Sequence, residues 1–260
     1  MTTAPRGTAL VRRPAATLAD GIVTFIERQS IDLGLAHRQW QDYVAALEEN
    51  GWSTREVPVD DSLPDSVFVE DTVVMFDELA VITNPKAPAR NPETVATEKF
   101  VRDLGLEVAS ITDPATIDGG DVLKVGKRVY VGLTGSTDQA AVDQLTDLLT
   151  PRGWEVIAVP VTKALHLKSA ITALPDGTVI GYAPIVDDPS IFPQFLAVPE
   201  EPGAHVVVLD ENTVLMSSAA PDSATLFVDR GYDVVAVDIS EFEKLEGCVT
   251  CLSVRIRKSL

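Results

Sequence analysis

What most limits the folds open to this chain is a unit that recurs along it: two short apolar strands around a tight polar turn. It runs through Val73–Ile82 around Asp77-Glu78 and through Val122–Val131 around Gly126-Lys127. It returns in Ala170–Ile180 around Asp176-Gly177 and in Val206–Leu215 around Glu211-Asn212. Such turn pairs between β-branched runs are hairpin chemistry. Helices follow several of the hairpins. Asn91 is expected to cap one, with Pro92 at its first position; Thr137 or Asp138 caps the next. An earlier helix is implied by Trp40, Tyr43, Val44 and Leu47, spaced three and four apart. A glycine then stops the helix and a strand opens, at Gly51-Trp52, Gly105-Leu106, Gly153-Trp154 and Gly231-Tyr232. The expected strands include Glu56–Val59, Glu155–Val159 and Asp233–Val237. A hairpin-helix-strand unit of this size cannot bury its own face, so the pattern predicts a radial or stacked α/β architecture. The last repeat is expected to pair with the N-terminal strand Thr8–Arg12. With no linker or compositional break, residues 1–260 read as a single catalytic domain.

Bulk properties narrow the function. A chain of 260 residues with 45% hydrophobic and 23% charged content can bury a sizeable core. The net charge of −18 opposes nucleic acid and anionic membrane surfaces as partners and suits a cationic small molecule. No apolar run is long enough to span a bilayer. Met1–Gly21 carries arginines but no continuous apolar stretch, so no signal peptide is expected. Two cysteines three residues apart build no disulfide framework, and a reducing, cytoplasmic setting is expected.

Candidate chemistry starts at Cys251 and at His166, one of three histidines. A cysteine, a distant histidine and carboxylates at turns are the parts needed for thiolate catalysis. An inert buried thiol and a satisfied core histidine are the structural alternatives. Glu70-Asp71 stand between Val67-Phe68-Val69 and Thr72-Val73-Val74, where acidic residues are depleted. A buried carboxylate needs a partner, since an unpaired charge costs several kcal/mol, on the order of 3–5, to bury. A structural ion pair meets that need; so does a planar cation such as guanidinium, which takes forked hydrogen bonds from carboxylates. Cys248 and Cys251 form Cys-x-x-Cys, but Leu252–Ile256 reads as a strand, whereas a thioredoxin-like pair opens a helix. Gly119-Gly120 is followed by no Lys-Ser/Thr and is no phosphate loop. Apart from Cys248-Cys251, no histidines or cysteines are grouped at metal-ligand spacing, and neither metal nor cofactor is expected.

The segments Leu63–Asp71, Ile82–Pro85 through Arg90, Asp118–Val122, Val131–Leu133, Leu165–Ser169 and Thr250–Val254 together resemble the dimethylarginine dimethylaminohydrolase family of the guanidino-group-modifying, or pentein, superfamily. The resemblance spans nearly the whole chain in order. It implies a five-bladed pseudosymmetric α/β propeller and hydrolysis of Nω-methylated arginine to citrulline and a methylamine, without a cofactor. Cys251 would attack the guanidinium carbon and leave a thiouronium. His166 would protonate the leaving amine and then activate water, with Asp118 orienting it. Asp65, Glu70 and Asp71 would grip the guanidinium, Arg90 the substrate carboxylate, and the Leu245 carbonyl its α-amine. The partner is then a small guanidinium compound, and the protein a monomer or homodimer.

One departure bears on the substrate. In the family, Val-Gly-Leu is followed by Ser, a variable residue and an arginine that joins the other in binding the carboxylate. Here Ser136 stands in its place. A lost charge-assisted contact costs about 1.5–3 kcal/mol. A deiminase or hydrolase acting on free arginine, agmatine or another alkylguanidine is therefore the alternative, and a non-catalytic pentein that binds only is a further one.

Overall fold

The computed structural model describes residues 6–257, so the first five residues of the Met1–Gly21 stretch lie outside them. The chain divides into two compact units, Met1–Ser110 with Val237–Leu260, and Ile111–Ala236.

The first unit opens with β1 (Thr8–Val11), α1 (Leu33–Glu49) and β2 (Ser53–Glu56), then β3 (Val73–Phe76) and β4 (Leu79–Ile82), α2 (Asn91–Asp103) and β5 (Glu107–Ser110). The second holds β6 (Val122–Val125), β7 (Arg128–Leu133), α3 (Gln139–Leu149) and β8 (Glu155–Pro160). It continues with α4 (Leu167–Ala170), β9 (Ile171–Ala173), β10 (Val179–Gly181), β11 (Phe195–Ala197), β12 (Val206–Val208), β13 (Thr213–Ser217), α5 (Pro221–Asp229) and β14 (Asp233–Val237). α6 (Ser240–Glu243) and β15 (Val254–Ile256) belong to the first unit.

Among the described residues every sheet has three strands. The four expected hairpins form, as β3-β4, β6-β7, β9-β10 and β12-β13. In the first three, a further strand joins in parallel: β5 on β4, β8 on β7, β11 on β10. β14 lies next to β13. The fifth sheet is the expected pairing of the chain's two ends. β1 runs antiparallel to β15, with Leu10 opposite Val254, and parallel to β2. Hairpin turns reach the left-handed region at Asp77 (φ 54°) and Gly126 (φ 59°). The residues expected to stop helices, Gly51, Gly105, Gly153 and Gly231, all have positive φ, where a Cβ would be strained.

Three local expectations shift. The strand before Val57 covers Ser53–Glu56, not Glu56–Val59; these residues are polar and mostly exposed, so no apolar run marks them. The second helix begins at Asn91 with Arg90 as its cap residue and no side-chain cap, because the 3-10 turn Pro88–Arg90 runs directly into it. Glu70 and Asp71 lie in a 3-10 turn, Val69–Thr72, that leads into β3. Of the two residues expected to cap α3, Asp138 does so, accepting from Ala141 N–H at 2.9 Å.

β1, β3 and β4 are buried at every position. With Val57, Val69, Val101, Val254 and Ile256 they form the core of the first unit. Two clusters fill the second, one around Tyr130, Leu167 and Phe192, the other around Ile180, Met216 and Phe227. These cores fix the strand ends from which the polar turns project.

Candidate active site

The candidate residues fall in both units. In the first, Cys251 sits in the loop before β15, 7% exposed. Its N–H donates to the Cys248 carbonyl at 3.1 Å, which turns the chain so that the two sulfurs stand 3.4 Å apart. The Cys248 N–H points at Cys251 Sγ at 3.5 Å. Behind the loop, the buried Tyr43 hydroxyl of α1 donates to the Val249 carbonyl at 2.8 Å and meets Ser253 Oγ at 2.7 Å. The loop that carries Cys251 is thus held against a helix by a hydroxyl, an arrangement the sequence did not signal.

Glu70 is tied to the same loop twice. Its N–H donates to the Cys251 carbonyl at 3.2 Å, and Thr250 Oγ1 donates to its Oε2 at 2.9 Å. The hydrogen bond with Cys248, then burial, then the charges of Glu70 and Asp71 push the Cys251 thiol well above its ordinary range. A thiol raised in this way favours its protonated form, and a nearby positive charge would favour thiolate.

Asp71 pairs with Arg90, Nη1 to Oδ2 at 2.9 Å. The same guanidinium forks onto Glu93, Nη2 to Oε2 at 2.9 Å and Nε to Oε1 at 3.2 Å, and its Nη2 reaches the Asp65 carbonyl at 3.4 Å. A ligand carboxylate would therefore have to share Arg90 with two protein carboxylates. Glu93, only 1% exposed, had no role in the sequence reading, although its spacing from Arg90 was the available signal. Burial pushes it up to about 7 against the pull of Arg90. Burial also raises the Asp65 carboxyl, again opposed by Arg90. Asp65 accepts the Ile22 N–H at 3.1 and 3.2 Å. A Cβ on Gly21 would lie 2.8 Å from Asp65 Oδ1 and 3.4 Å from Leu245 Cδ2, so glycine lets the backbone pass close to both. Asp65 and Leu245, both assigned to substrate on resemblance, thus border one stretch of chain.

In the second unit His166 precedes α4, and its Nε2 stands 3.3 Å from Asp118 Oδ2. Both are nearly buried, and Asp118 Oδ1 has no hydrogen-bond partner. The structure thus brings together the two residues expected to act as base and orienting carboxylate. Asp121, three residues on, was part of a recognised segment but received no role; it is fully buried and bonded to Leu167, Thr134 and Thr137. Ser136 lies in the turn between β7 and α3, its N–H on Thr134 Oγ1 at 3.1 Å. Among the described residues no group of three or more His, Cys, Asp or Glu is placed to hold a metal ion, and no helix is long and apolar enough to cross a membrane.

The arginine deiminase family model matches residues 45–202. The chain is 56% identical to an N(G),N(G)-dimethylarginine dimethylaminohydrolase of Streptomyces coelicolor over 98% of both chains. It is 32% identical to the enzyme of that name from Pseudomonas aeruginosa, over 95% of this chain and 98% of that one. A solved structure of the dimethylarginine dimethylaminohydrolase of Pseudomonas aeruginosa, a cysteine-to-serine mutant complexed with citrulline, matches with a TM-score of 0.90 at 30% identity, over 96% of this chain and 99% of that one. The mixed α/β fold with five small sheets is thus shared with a solved member. With the sequence motifs and the fold in agreement over nearly the full length, the chain belongs to the dimethylarginine dimethylaminohydrolase family.

Proposed function

We propose that the chain hydrolyses Nω-methylated arginine to citrulline and a methylamine through a covalent intermediate on Cys251. The observation that carries this is the electrostatic setting of the thiol: it is buried beside Glu70 and Asp71 and held neutral. A guanidinium gripped by Asp65, Glu70 and Asp71 brings the positive charge that makes the thiolate affordable, so the substrate helps to activate its own nucleophile.

The chemistry has two stages. As the guanidinium binds, Cys251 loses its proton to solvent and its Sγ attacks the guanidinium carbon; as the C–N bond breaks, His166 gives its proton to the departing methylamine or dimethylamine, and a thiouronium remains. His166, now neutral, takes a proton from water, the hydroxide adds to the same carbon, and as the C–S bond breaks the adduct's hydroxyl proton passes to solvent, which releases the ureido product and the thiolate. Asp118 steadies the imidazolium at each change of charge. The Leu245 carbonyl receives the α-amine, and Arg90 the carboxylate.

A second reading has its own observation. Ser136 offers no charge to a substrate carboxylate, and Arg90 is already shared by Asp71 and Glu93. Both facts favour a guanidine without an amino-acid head, such as agmatine. The retained Cys251, His166 and Asp118 speak against a binding-only protein. We further assign residues 1–260 to one catalytic domain, acting as a monomer or homodimer in the cytoplasm, where both thiols stay reduced.

The deciding experiment measures ureido product from asymmetric dimethylarginine, monomethylarginine, arginine and agmatine in parallel, with Cys251→Ser as the blank. Turnover of the methylated arginines supports the proposal. Turnover of agmatine or arginine alone keeps the chemistry and replaces the substrate, and silence on all four defeats the reading.

A further inference from the structure

Asp121 has no task in the reaction just described, yet it is fully buried and receives three donors. The Leu167 N–H reaches Oδ1 at 2.9 Å, and the hydroxyls of Thr134 and Thr137 reach Oδ2 at 2.8 and 2.5 Å. Each hydroxyl also accepts. Thr137 Oγ1 takes the Asp118 N–H at 3.2 Å, and Thr134 Oγ1 takes those of Ser136 and Thr137, both at 3.1 Å. A hydroxyl has one proton, and with its lone pairs engaged that proton goes to the carboxylate. Three donors aimed at one group favour its ionised form.

The connections lead in two directions. Leu167 follows His166 in sequence, so its N–H fixes the backbone that carries the imidazole. Thr137 links the carboxylate to the backbone of Asp118, whose side chain faces His166 Nε2 at 3.3 Å. The close approach is built in from a third side. A Cβ on Gly132 of β7 would lie 2.8 Å from Leu167 Cβ and 2.9 Å from Asp121 Oδ1, so only glycine leaves room for this contact.

We propose that Asp121 is a positioning residue for the His166–Asp118 pair, holding the two in register through Leu167 and Thr137 and favouring imidazolium with its charge. This rests on the roles assigned to His166 and Asp118 above. Burial raises the Asp121 carboxyl above its ordinary range, and His166 is the first influence that opposes it, followed by the Thr137, Leu167 and Thr134 donors. The elements packed against α4 carry Asp118, Asp121, Lys124, Arg128, the buried Tyr130, Glu201 and His205, and α4 itself carries Lys168. Lys124, Arg128 and Glu201 are exposed and screened, Lys168 is half-buried, and His205 is engaged with the Ser169 carbonyl. That leaves Asp118 and Asp121 as the buried carboxylates near the imidazole.

The test is Asp121→Asn, which keeps the shape and removes the charge. With three histidines in the chain, the His166 ring signal is identified by its loss in His166→Gln and followed by NMR through a pH titration of the resting protein. The expected result is a His166 midpoint lower by about half a unit or more. With the best substrate, kcat should fall at least about tenfold, within the ~10²–10⁴-fold that acid–base catalysis supplies, and KM should hold within about threefold. A folded Asp121→Asn with an unchanged midpoint overturns the proposal, whether or not kcat falls, since loss of rate alone marks a structural role. If Asp121→Asn does not fold, the Thr137 pair decides. Thr137→Val should lower kcat and shift the His166 signal while Thr137→Ser restores both, and wild-type behaviour in Thr137→Val overturns the inference. Should the wild type turn over no guanidine, the proposed function fails, but the His166 titration still decides this point.

Discussion

Thr250 Oγ1 donates to Glu70 Oε2 at 2.9 Å, so the residue before the candidate nucleophile holds one of the carboxylates assigned to the guanidinium. The bond is buried, and Thr250 is 2% exposed. It makes the aim of Glu70 depend on the loop that carries Cys251, and the Glu70 N–H on the Cys251 carbonyl repeats the dependence through the backbone.

Replacing Thr250 by valine keeps the volume and removes the donor. The buried carboxylate then loses a partner, at a cost of about 1–3 kcal/mol in stability. A misaimed Glu70 should also lower kcat/KM by about tenfold or more. Urea unfolding and steady-state kinetics check the two effects, and Thr250→Ser should recover both. Unchanged kinetics in a destabilised Thr250→Val would show that Glu70 does not serve the substrate.

The contact of Cys248 with Cys251 makes a separate prediction. Since the hydrogen bond with Cys248 is the largest influence raising the Cys251 thiol, Cys248→Ala should bring it down. The rate of alkylation by iodoacetamide follows the thiolate fraction, so its pH midpoint should lie above the ordinary thiol range near ~8.5 in the wild type and fall in the variant. Turnover should survive within about threefold. A Cys248→Ala protein without activity would instead point to the two thiols cycling together.

The repeat was legible because each part of it has a local cause. Asp77 and Gly126 sit where a hairpin needs positive φ, and valines on either side of them need burial. The strand Ser53–Glu56 was not legible: it is held by its pairing with β1, which no property of its own four polar residues announces. The site divided in the same way. Cys251, His166 and Asp118 stood out by residue type and motif, and Glu70-Asp71 by being acidic where apolar strands were expected. Tyr43 and Asp121 act by contacts with residues distant in the sequence or through hydroxyls on other turns, and their neighbours in sequence carry no trace of it, whereas Glu93 is marked only by its spacing from Arg90.

Arg90 stands between two demands. It neutralises Asp71 and Glu93, both nearly buried, so Arg90→Ala should cost about 3–5 kcal/mol of stability by leaving carboxylates uncompensated. A raised KM in that variant is therefore interpretable only beside its unfolding curve. Arg90→Lys should recover part of the stability but not the fork onto Glu93.

Glu93 should also leave a mark on stability against pH. Its carboxyl is raised to about 7 from an ordinary 4.5, so between those values the folded protein holds a proton that the unfolded chain releases. The contribution is complete below pH 4.5 and is lost as pH rises through about 7. Urea unfolding at pH 5, 6, 7 and 8 should show wild-type stability falling by on the order of 1–3 kcal/mol more than that of Glu93→Gln. Parallel curves for the two proteins would place the Glu93 pKa in the ordinary range.

Ser136 offers the sharpest test of what the substrate carries at its far end. Its backbone is committed to the turn, the N–H to Thr134 Oγ1 at 3.1 Å, whereas its side chain is half-buried and takes no part in that bond. Ser136→Arg should therefore leave the turn intact and add a guanidinium where the family places one. If the substrate has a carboxylate within its reach, the new contact is worth about 1.5–3 kcal/mol, which is a KM lowered by about tenfold or more. Agmatine has no carboxylate to offer, so its KM should not fall. A lowered KM for methylarginine alone would mean that the native chain binds the amino-acid head with Arg90 and the Leu245 carbonyl and tolerates the missing charge. Equal KM values for both guanidines before and after the change would mean that the head group is not read at this position.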